Sequence, residues 1–263
     1  MCFDFDALPP ELPADLIRAP MAGGAGAELL ELTSSDGTSL SAALAESPRG
    51  AAPGVVILPD VRGLYRFYVE LAERFAEAGH HAIAIDYFGR TAGLGPRGED
   101  FDWMPHVRET RVDQVQIDIA AAIAALCART GVESMVTVGF CLGGLQSFLA
   151  GTDPELGLDG EVGFYAALDT SSRGLPGPLE RAAEIRGPLL GLFGGADQHI
   201  TFEQVMEFDR RLDEAAVEHE IHVYEGAPHS FFDRSHAEHA EACADAWRRV
   251  LGFLDQVGAR TAA

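Results

Sequence analysis

The hydrophobic positions change from alternating to continuous near residue 55. Residues 28–33 and 38–45 are short runs of mixed alternation, separated by the turn signal Ser34-Ser-Asp-Gly37. This pattern predicts an antiparallel hairpin at the edge of a sheet. Residues 55–58 are all apolar, which is typical of a parallel strand buried on both faces.

From that strand onward, apolar runs alternate with segments of helical spacing. Such alternation predicts a mostly parallel sheet with helices on both faces. A long loop is predicted over residues 87–105, and loops of that length are often functional. Further strands are predicted at 82–85, 136–140, 162–168, 189–193 and 220–224, and helices at 68–78, 107–129, 142–150, 202–215 and 237–257.

Composition narrows the class of protein. The 263 residues, 47% hydrophobic, predict an N-terminal arm (residues 1–27) and one α/β domain (28–263). The net charge of -22 argues against nucleic acid and anionic membranes as partners. The four cysteines show no C-x-x-C spacing, which disfavours a disulfide scaffold or zinc site. The first residues lack a signal-peptide pattern, so a soluble cytoplasmic protein is expected.

The segment Val136-Thr-Val-Gly-Phe-Cys-Leu-Gly-Gly-Leu145 carries the first candidate chemistry. Gly139 and Gly143 lie two residues either side of Cys141, which gives the G-x-nucleophile-x-G pattern of a nucleophile elbow with sulfur in place of the serine oxygen. A helix starting at Leu142 would direct its N–H groups and positive dipole end toward a thiolate. A buried structural cysteine is the alternative interpretation.

Two further residues complete a possible triad. Asp197 follows the predicted strand 189–193, and His229 follows the strand 220–224. Reactive residues collect beyond the carboxyl ends of parallel strands. The order nucleophile, acid, base along the chain is that of the α/β-hydrolase fold. We therefore predict an α/β-hydrolase fold with a Cys141-His229-Asp197 triad.

The segments Gly-Phe-Cys-Leu-Gly-Gly, Gly-Ala-Asp and Pro-His-Ser-Phe-Phe resemble those of the dienelactone hydrolase (carboxymethylenebutenolidase) family. The resemblance extends from about Thr38 to the C-terminal helix. It implies a single-domain α/β-hydrolase that opens a lactone ring without metal or organic cofactor. Cys141 would then be the nucleophile, His229 the base, and Asp197 the residue that orients the imidazole. The implied partner is a small-molecule ester or lactone.

The loop Pro59-Asp-Val-Arg-Gly63 follows the first buried parallel strand. In an α/β-hydrolase this loop supplies an oxyanion-hole N–H, so Val61 and Leu142 are the predicted donors. Family members typically have glutamate at the position of Asp60, where the carboxylate modulates the nucleophilic thiol. Aspartate is one methylene shorter, and a solvated loop aspartate is the alternative.

Family members also bind a substrate carboxylate with arginines. By position Arg90 resembles the first of these, Arg234 the second, and Arg62 is a further candidate at the mouth of the site. Arginine suits bidentate carboxylate recognition. The alternative is that Arg90 and Arg234 are surface arginines paired with nearby acids. If the arginine pair does not bind substrate, a neutral ester or lactone is expected.

Other functions stay open at this stage. A general carboxylesterase, or a non-catalytic relative that binds a small ligand, would share the same fold. A thiol redox protein is disfavoured because no partner cysteine lies near Cys141 in the sequence. Asp233, His236 and His239 could be drawn as metal ligands, but they are expected to lie on the solvated face of an acidic helix.

Overall fold

The sheet is mostly parallel and begins with an antiparallel hairpin. The computed structural model describes residues 7–19, 26–169 and 176–261. In these ranges eight strands form one sheet of order β1-β2-β4-β3-β5-β6-β7-β8, in which β1 pairs with β2 and β2 with β4 antiparallel while the remaining pairs are parallel. This confirms the predicted α/β-hydrolase fold and edge hairpin. The strands are β1 Glu28–Thr33, β2 Ser39–Ala45, β3 Ala51–Leu58, β4 His80–Ile85, β5 Met135–Phe140, β6 Gly160–Phe164, β7 Leu189–Gly194 and β8 His219–Tyr224.

The helices differ from prediction mainly between residues 103 and 130. The single helix expected over 107–129 is two helices, because Thr110 and Arg111 adopt extended backbone angles and the Thr110 hydroxyl donates to the His106 carbonyl (2.8 Å). Short helices also lie within the long loop predicted after β4. The helices are α1 Arg66–Glu77, α2 Gly89–Ala92, α3 Trp103–Glu109, α4 Val112–Thr130, α5 Leu142–Ala150, α6 Pro178–Arg181, α7 Phe202–Glu214 and α8 Ala240–Thr261.

Both faces of the central strands are buried, as the continuous apolar run in β3 predicts. Val55 and Ile57 belong to the core layer beneath α1 and α8, whereas Val56 and Leu58 belong to the layer beneath α4. Successive side chains of a strand point to opposite faces, so each helical layer has its own apolar core. The sheet therefore forms a rigid base for the loops at the carboxyl ends of its strands.

The described part of the predicted N-terminal arm, residues 7–19, packs along α8. The Trp247 indole N–H donates to the Pro10 carbonyl (3.2 Å), and the Arg18 guanidinium bonds both carboxylate oxygens of Asp255 (2.6 Å each). Cys2 and residues 20–25 lie outside the described residues. No helix among those that are described is both long and apolar enough to cross a membrane.

Glu161 in β6 is a buried acid without a hydrogen-bond partner. Its side chain is 1% exposed, and neither carboxylate oxygen has a partner among the described residues. Burial, and secondarily the charge of Asp159, raises the pKa of Glu161 from 4.5 to about 8. In the folded protein Glu161 is therefore mainly protonated at neutral pH.

Replacing Glu161 by glutamine should flatten the pH dependence of stability. Because the pKa of Glu161 is raised in the folded state, its contribution to the free energy of unfolding is fully present below pH 4.5. Above that pH the free energy of unfolding falls by about 1.4 kcal/mol per pH unit, up to about pH 8. Between pH 5 and pH 8 wild type should lose about 4 kcal/mol more than Glu161→Gln. Urea unfolding at both pH values measures this difference. The exposed Glu155→Gln is the matched control, and equal pH slopes for wild type and Glu161→Gln would contradict the prediction.

Candidate active site

Cys141 lies at a strained turn between β5 and α5. Its backbone angles are φ 53° and ψ −109°, a region that residues with a side chain rarely adopt. Hydrogen bonds to the neighbouring chain segment hold it there. Its N–H donates to the Phe164 carbonyl (3.0 Å), and its carbonyl accepts from the Ala167 N–H (3.1 Å). These bonds to the end of β6 and the segment after it therefore maintain the strained conformation directly before the first turn of α5.

The two glycines of the elbow allow this close approach of backbones. A Cβ atom on Gly139 would collide with the Gly143 carbonyl. A Cβ atom on Gly143 would collide with the carbonyls of Leu58 and Pro59. Helix α5 thus begins in direct contact with β5 and with the end of β3, which explains the glycine spacing seen in the sequence.

His229 and Asp197 are directly hydrogen-bonded. The distance from His229 Nδ1 to Asp197 Oδ2 is 2.6 Å. The other carboxylate oxygen of Asp197 accepts from the backbone N–H groups of His199 (2.7 Å) and Ile200 (3.1 Å). Asp197 is 1% exposed and His229 14% exposed in their side chains. The imidazole is thereby fixed in orientation, with its Nε2 edge left for the thiol.

The electrostatics favour a positively charged His229. Burial alone would lower its pKa, but hydrogen bonds to Asp197 and Cys141, together with their charges, outweigh burial and raise the pKa to about 10. Burial acts to raise the pKa of Asp197, yet the bonds from His229 and the backbone lower it below its usual value. At neutral pH the Cys141 thiol therefore faces an imidazolium. The structure brings together the three residues of the predicted triad.

The two predicted oxyanion donors lie on adjacent loops. β3 and β5 are parallel neighbours with Leu58 opposite Gly139, so the segment after β3 and the elbow meet at one edge. Leu142 is the first residue of α5, and its N–H has no partner within the helix. The Val61 N–H has no acceptor within the described ranges. Their role as an oxyanion hole stays a prediction.

Asp60 and Arg62 form a buried ion pair. Asp60 is 4% and Arg62 1% exposed, and the Arg62 Nε atom lies 3.0 and 3.1 Å from the two oxygens of Asp60. Within the described part of the chain, Asp60 makes no hydrogen bond to Cys141. The structure thus gives no support to Asp60 as a thiol modulator, nor to Arg62 as a residue at the mouth. The solvated-loop alternative for Asp60 is wrong, because the carboxylate is buried.

No contact among the described residues brings Arg90 and Arg234 together beside the Cys141 thiol. Arg90 binds Asp118 through Nε and Nη2 (2.8 Å each) and binds Asp36 through Nη1 (2.5 Å). Arg90 is therefore paired with nearby acids, as its alternative interpretation states, and Arg62 is paired with acids as well. Arg234 is exposed in the segment after His229, and its part in substrate binding stays a prediction.

Two residues near the triad were not predicted from the sequence. Tyr165 has φ 36°, which ends β6 before the predicted end of that strand at Leu168, and its ring centroid lies 5.0 Å from that of His229. Asp233 is 1% exposed, so placing it on a solvated face was wrong. The preceding residues, Phe231 and Phe232, could have indicated this burial in the sequence, because both are large aromatic residues and both are buried.

One group of residues in the described ranges has a spacing suited to a metal ion. The ligand atoms of Asp209, Asp213 and His219 lie within 4.8 Å of one another. His219 Nε2 is already hydrogen-bonded to Asp209 (3.2 Å). No residue of the predicted triad belongs to this group, which lies between α7 and β8.

Comparison with known proteins places the chain in a family. Residues 40–258 match the model of the dienelactone hydrolase family. A protein of Saccharolobus solfataricus named "Putative carboxymethylenebutenolidase" is 26% identical over 264 residues, covering 85% of this chain and 96% of the relative. A Bradyrhizobium protein named "Probable 2-oxo-3-(5-oxofuran-2-ylidene)propanoate lactonase" is 29% identical over 212 residues, covering 78% and 84%.

A solved structure agrees with the same assignment. The crystal structure of a "Putative Dienelactone Hydrolase" from Klebsiella pneumoniae is 26% identical and superposes with a TM-score of 0.74, covering 87% of this chain and 99% of that one. The residues that match the family model include strands β3 to β8 and all three residues of the predicted triad. The chain therefore belongs to the dienelactone hydrolase family, and this membership indicates a hydrolase of lactone or ester bonds.

Proposed function

We propose that the protein hydrolyses a neutral carboxylic ester or lactone through a thioester on Cys141. The observation that carries this proposal is the coupling of three groups: Asp197 binds His229 at 2.6 Å, and both Asp197 and Cys141 raise the pKa of His229. A structural cysteine would have no reason to face a histidine that an aspartate orients. The arrangement has the roles of a nucleophile, a proton carrier and an orienting acid.

Acylation starts from the thiolate and imidazolium. The thiolate attacks the carbonyl carbon, and the carbonyl electrons move to oxygen, where the N–H groups of Val61 and Leu142 stabilise the negative charge. The tetrahedral intermediate collapses with cleavage of the bond to the alkoxy oxygen. His229 donates its proton to that oxygen, which leaves as an alcohol, and the acyl group stays on Cys141 as a thioester.

Deacylation uses the same residues in reverse. Neutral His229 accepts a proton from water, and the resulting hydroxide attacks the thioester carbonyl. Collapse of the second intermediate releases the carboxylic acid and regenerates the thiolate beside the imidazolium. A lactone would give a single hydroxy acid, since its alcohol remains attached to the acyl chain.

The occupied arginines favour a neutral substrate. Arg62 and Arg90 are each bound by two aspartates, so neither side chain offers a guanidinium to a substrate carboxylate. The chain also carries a net charge of -22, which repels anions. A carboxylate-bearing lactone is the second candidate. It is favoured by the name of the Bradyrhizobium relative, whose substrate is a propanoate.

The test is detection of the thioester together with a substrate comparison. Rapid mixing with p-nitrophenyl acetate should give a burst of p-nitrophenol, and quenched protein should carry one acetyl group on the peptide containing Cys141. A neutral lactone should be hydrolysed with a higher kcat/KM than a carboxylate-bearing dienelactone. The opposite preference would favour the second candidate.

A control variant identifies the labelled thiol, and a binding measurement tests whether the protein binds the ester without hydrolysing it. Cys127 in α4 is half-buried, and Cys127→Ala should retain both the burst and the acetylated peptide. Acetylation of Cys127 in place of Cys141, or ester binding without turnover, would contradict the proposal. The second result would identify a ligand-binding relative.

A further inference from the structure

A buried charged cluster links the loop after β3 to the loop after β8. This cross-loop cluster consists of Asp60, Arg62, Tyr65 and Asp233. The Arg62 guanidinium bonds Asp60 and also bonds Asp233, 171 residues away in sequence. The Tyr65 hydroxyl donates to the same oxygen of Asp233 (3.1 Å), and the Arg62 guanidinium carbon lies 4.1 Å from the centre of the Tyr65 ring.

The cluster is charged and excluded from water. Its contacts are therefore strong, and loss of any one of its side chains should destabilise the others. The Arg62 and Asp233 side chains are each 1% exposed, and two carboxylates share one guanidinium. The remaining oxygen of Asp233 has no hydrogen-bond partner within the described ranges. Removing one member of such a group leaves an uncompensated buried charge, which is strongly unfavourable.

The position of the cluster relates it to the reaction. Val61, the predicted oxyanion donor, lies between Asp60 and Arg62 in the chain. The entry to this loop is held by Tyr87, whose hydroxyl donates to the Pro59 carbonyl (2.6 Å). Beyond Val61, the loop is tied across to the other side of the site through the Arg62 guanidinium. The orientation of the Val61 N–H should therefore depend on the contact between Arg62 and Asp233.

His229 does not depend on the cluster in the same way. Its Nδ1 atom is held by Asp197 at 2.6 Å, and its loop is tied to the loop after β7 by the bond from the Ala196 N–H to the Ala227 carbonyl (2.9 Å). Loss of the Arg62 contact to Asp233 should consequently displace the loop that carries Val61 while leaving the thiol and imidazole in place.

We propose that Arg62 and Asp233 are positioning residues that hold the Val61 N–H toward the acyl oxygen of the substrate. This inference rests on the proposed function. It assigns to Arg62 a role other than substrate binding and gives Asp233 a role that the sequence did not suggest. Both residues act through the backbone of Val61 and do not touch the reacting atoms.

The test compares a reaction that forms an oxyanion with one that does not. Ester hydrolysis passes through a tetrahedral oxyanion, whereas alkylation of Cys141 by iodoacetamide is a direct displacement that needs only the thiolate. Loss of one oxyanion donor costs about 100-fold or more in kcat, so partial displacement in Asp233→Asn or Arg62→Met should lower kcat about 10-fold or more. KM and the alkylation rate should each stay within about 2-fold of wild type.

A matched control separates positioning from general destabilisation. Asp118 is likewise a buried aspartate bound to an arginine, Arg90, but it lies in α4, and its hydrogen bonds within the described residues come from Ser34 and Arg90 and not from the loop that carries Val61. Asp118→Asn should lower the melting temperature and keep kcat within about 2-fold of wild type. Should Asp233→Asn fail to fold, Tyr65→Phe removes the hydroxyl bond to Asp233 and should still lower kcat several-fold.

Four results would overturn the inference. Unchanged kcat in the cluster variants would show that the Val61 N–H does not depend on them. Equal losses of kcat and of alkylation rate would place the effect on Cys141 or His229. An equal loss of kcat in Asp118→Asn would identify instability as the cause. Absence of ester turnover in wild type, with rapid alkylation retained, would overturn the proposed function and this inference together.

Discussion

Replacement of Cys141 by alanine is expected to lower kcat for ester hydrolysis by about 10,000-fold or more, because no thioester can form without the sulfur nucleophile. The fold should persist. Cys141 is partly buried at the edge of the core, and alanine removes one sulfur atom from a residue whose backbone is held by Phe164 and Ala167. Steady-state kinetics, with circular dichroism to verify folding, measures both effects.

The same variant should change the titration of His229. Because Cys141 is one of the residues that raise the pKa of His229 to about 10, Cys141→Ala should lower that pKa, and NMR of the imidazole protons can follow the change. Cys127→Ala serves as the cysteine control with kcat near wild type. Retention of ester turnover in Cys141→Ala would contradict the proposed mechanism, and an unchanged His229 pKa would contradict the coupling.

Replacement of Gly143 by alanine is expected to be the most damaging single change to the fold of the site. The new Cβ would collide with the backbone carbonyls of Leu58 and Pro59, neither of which can rotate away as a side chain could. Overpacking of this kind costs about 3 kcal/mol or more, and it would push α5 away from the end of β3. The stability loss is measured by urea unfolding.

A second helical glycine is the control for this experiment. Gly252 lies in α8, and apart from the adjoining backbone of its own helix no described atom lies within 4 Å of the position that a Cβ atom on it would take. Gly252→Ala should therefore be neutral or stabilising by about 0.5–1 kcal/mol. Equal behaviour of Gly143→Ala and Gly252→Ala would show that the close contact at the elbow is not required. Esterase activity of the folded Gly143→Ala fraction should also fall, since the elbow carries both Cys141 and Leu142.

The sheet, and the proximity of Cys141, His229 and Asp197, could be predicted because each leaves a local signal. Continuous apolar runs such as residues 55–58 indicate strands buried on both faces, and Cys141, Asp197 and His229 each follow a predicted strand closely. Parallel strands bring their carboxyl ends to the same edge of the sheet, so residues distant in sequence can be placed together without knowing any contact.

The arginines could not be placed in this way. Whether Arg90 meets a substrate or Asp118 depends on a contact across 28 residues, and Arg62 meets Asp233 across 171. Neither contact has a sequence signal, because an ion pair leaves no periodicity. A single helix was likewise predicted to run through Thr110. Helix propensity does not reveal that the Thr110 hydroxyl donates to the His106 carbonyl at the end of α3.

The dependence of Cys141 on β6 bears on how the protein is made. During synthesis Cys141 leaves the ribosome before Phe164 and Ala167, the residues that hold it in its strained conformation, and well before His229. Until those segments fold against it, the thiol has no imidazole partner. The contact between Cys141 and His229 can therefore form only after β6 and the segment that carries His229 have folded.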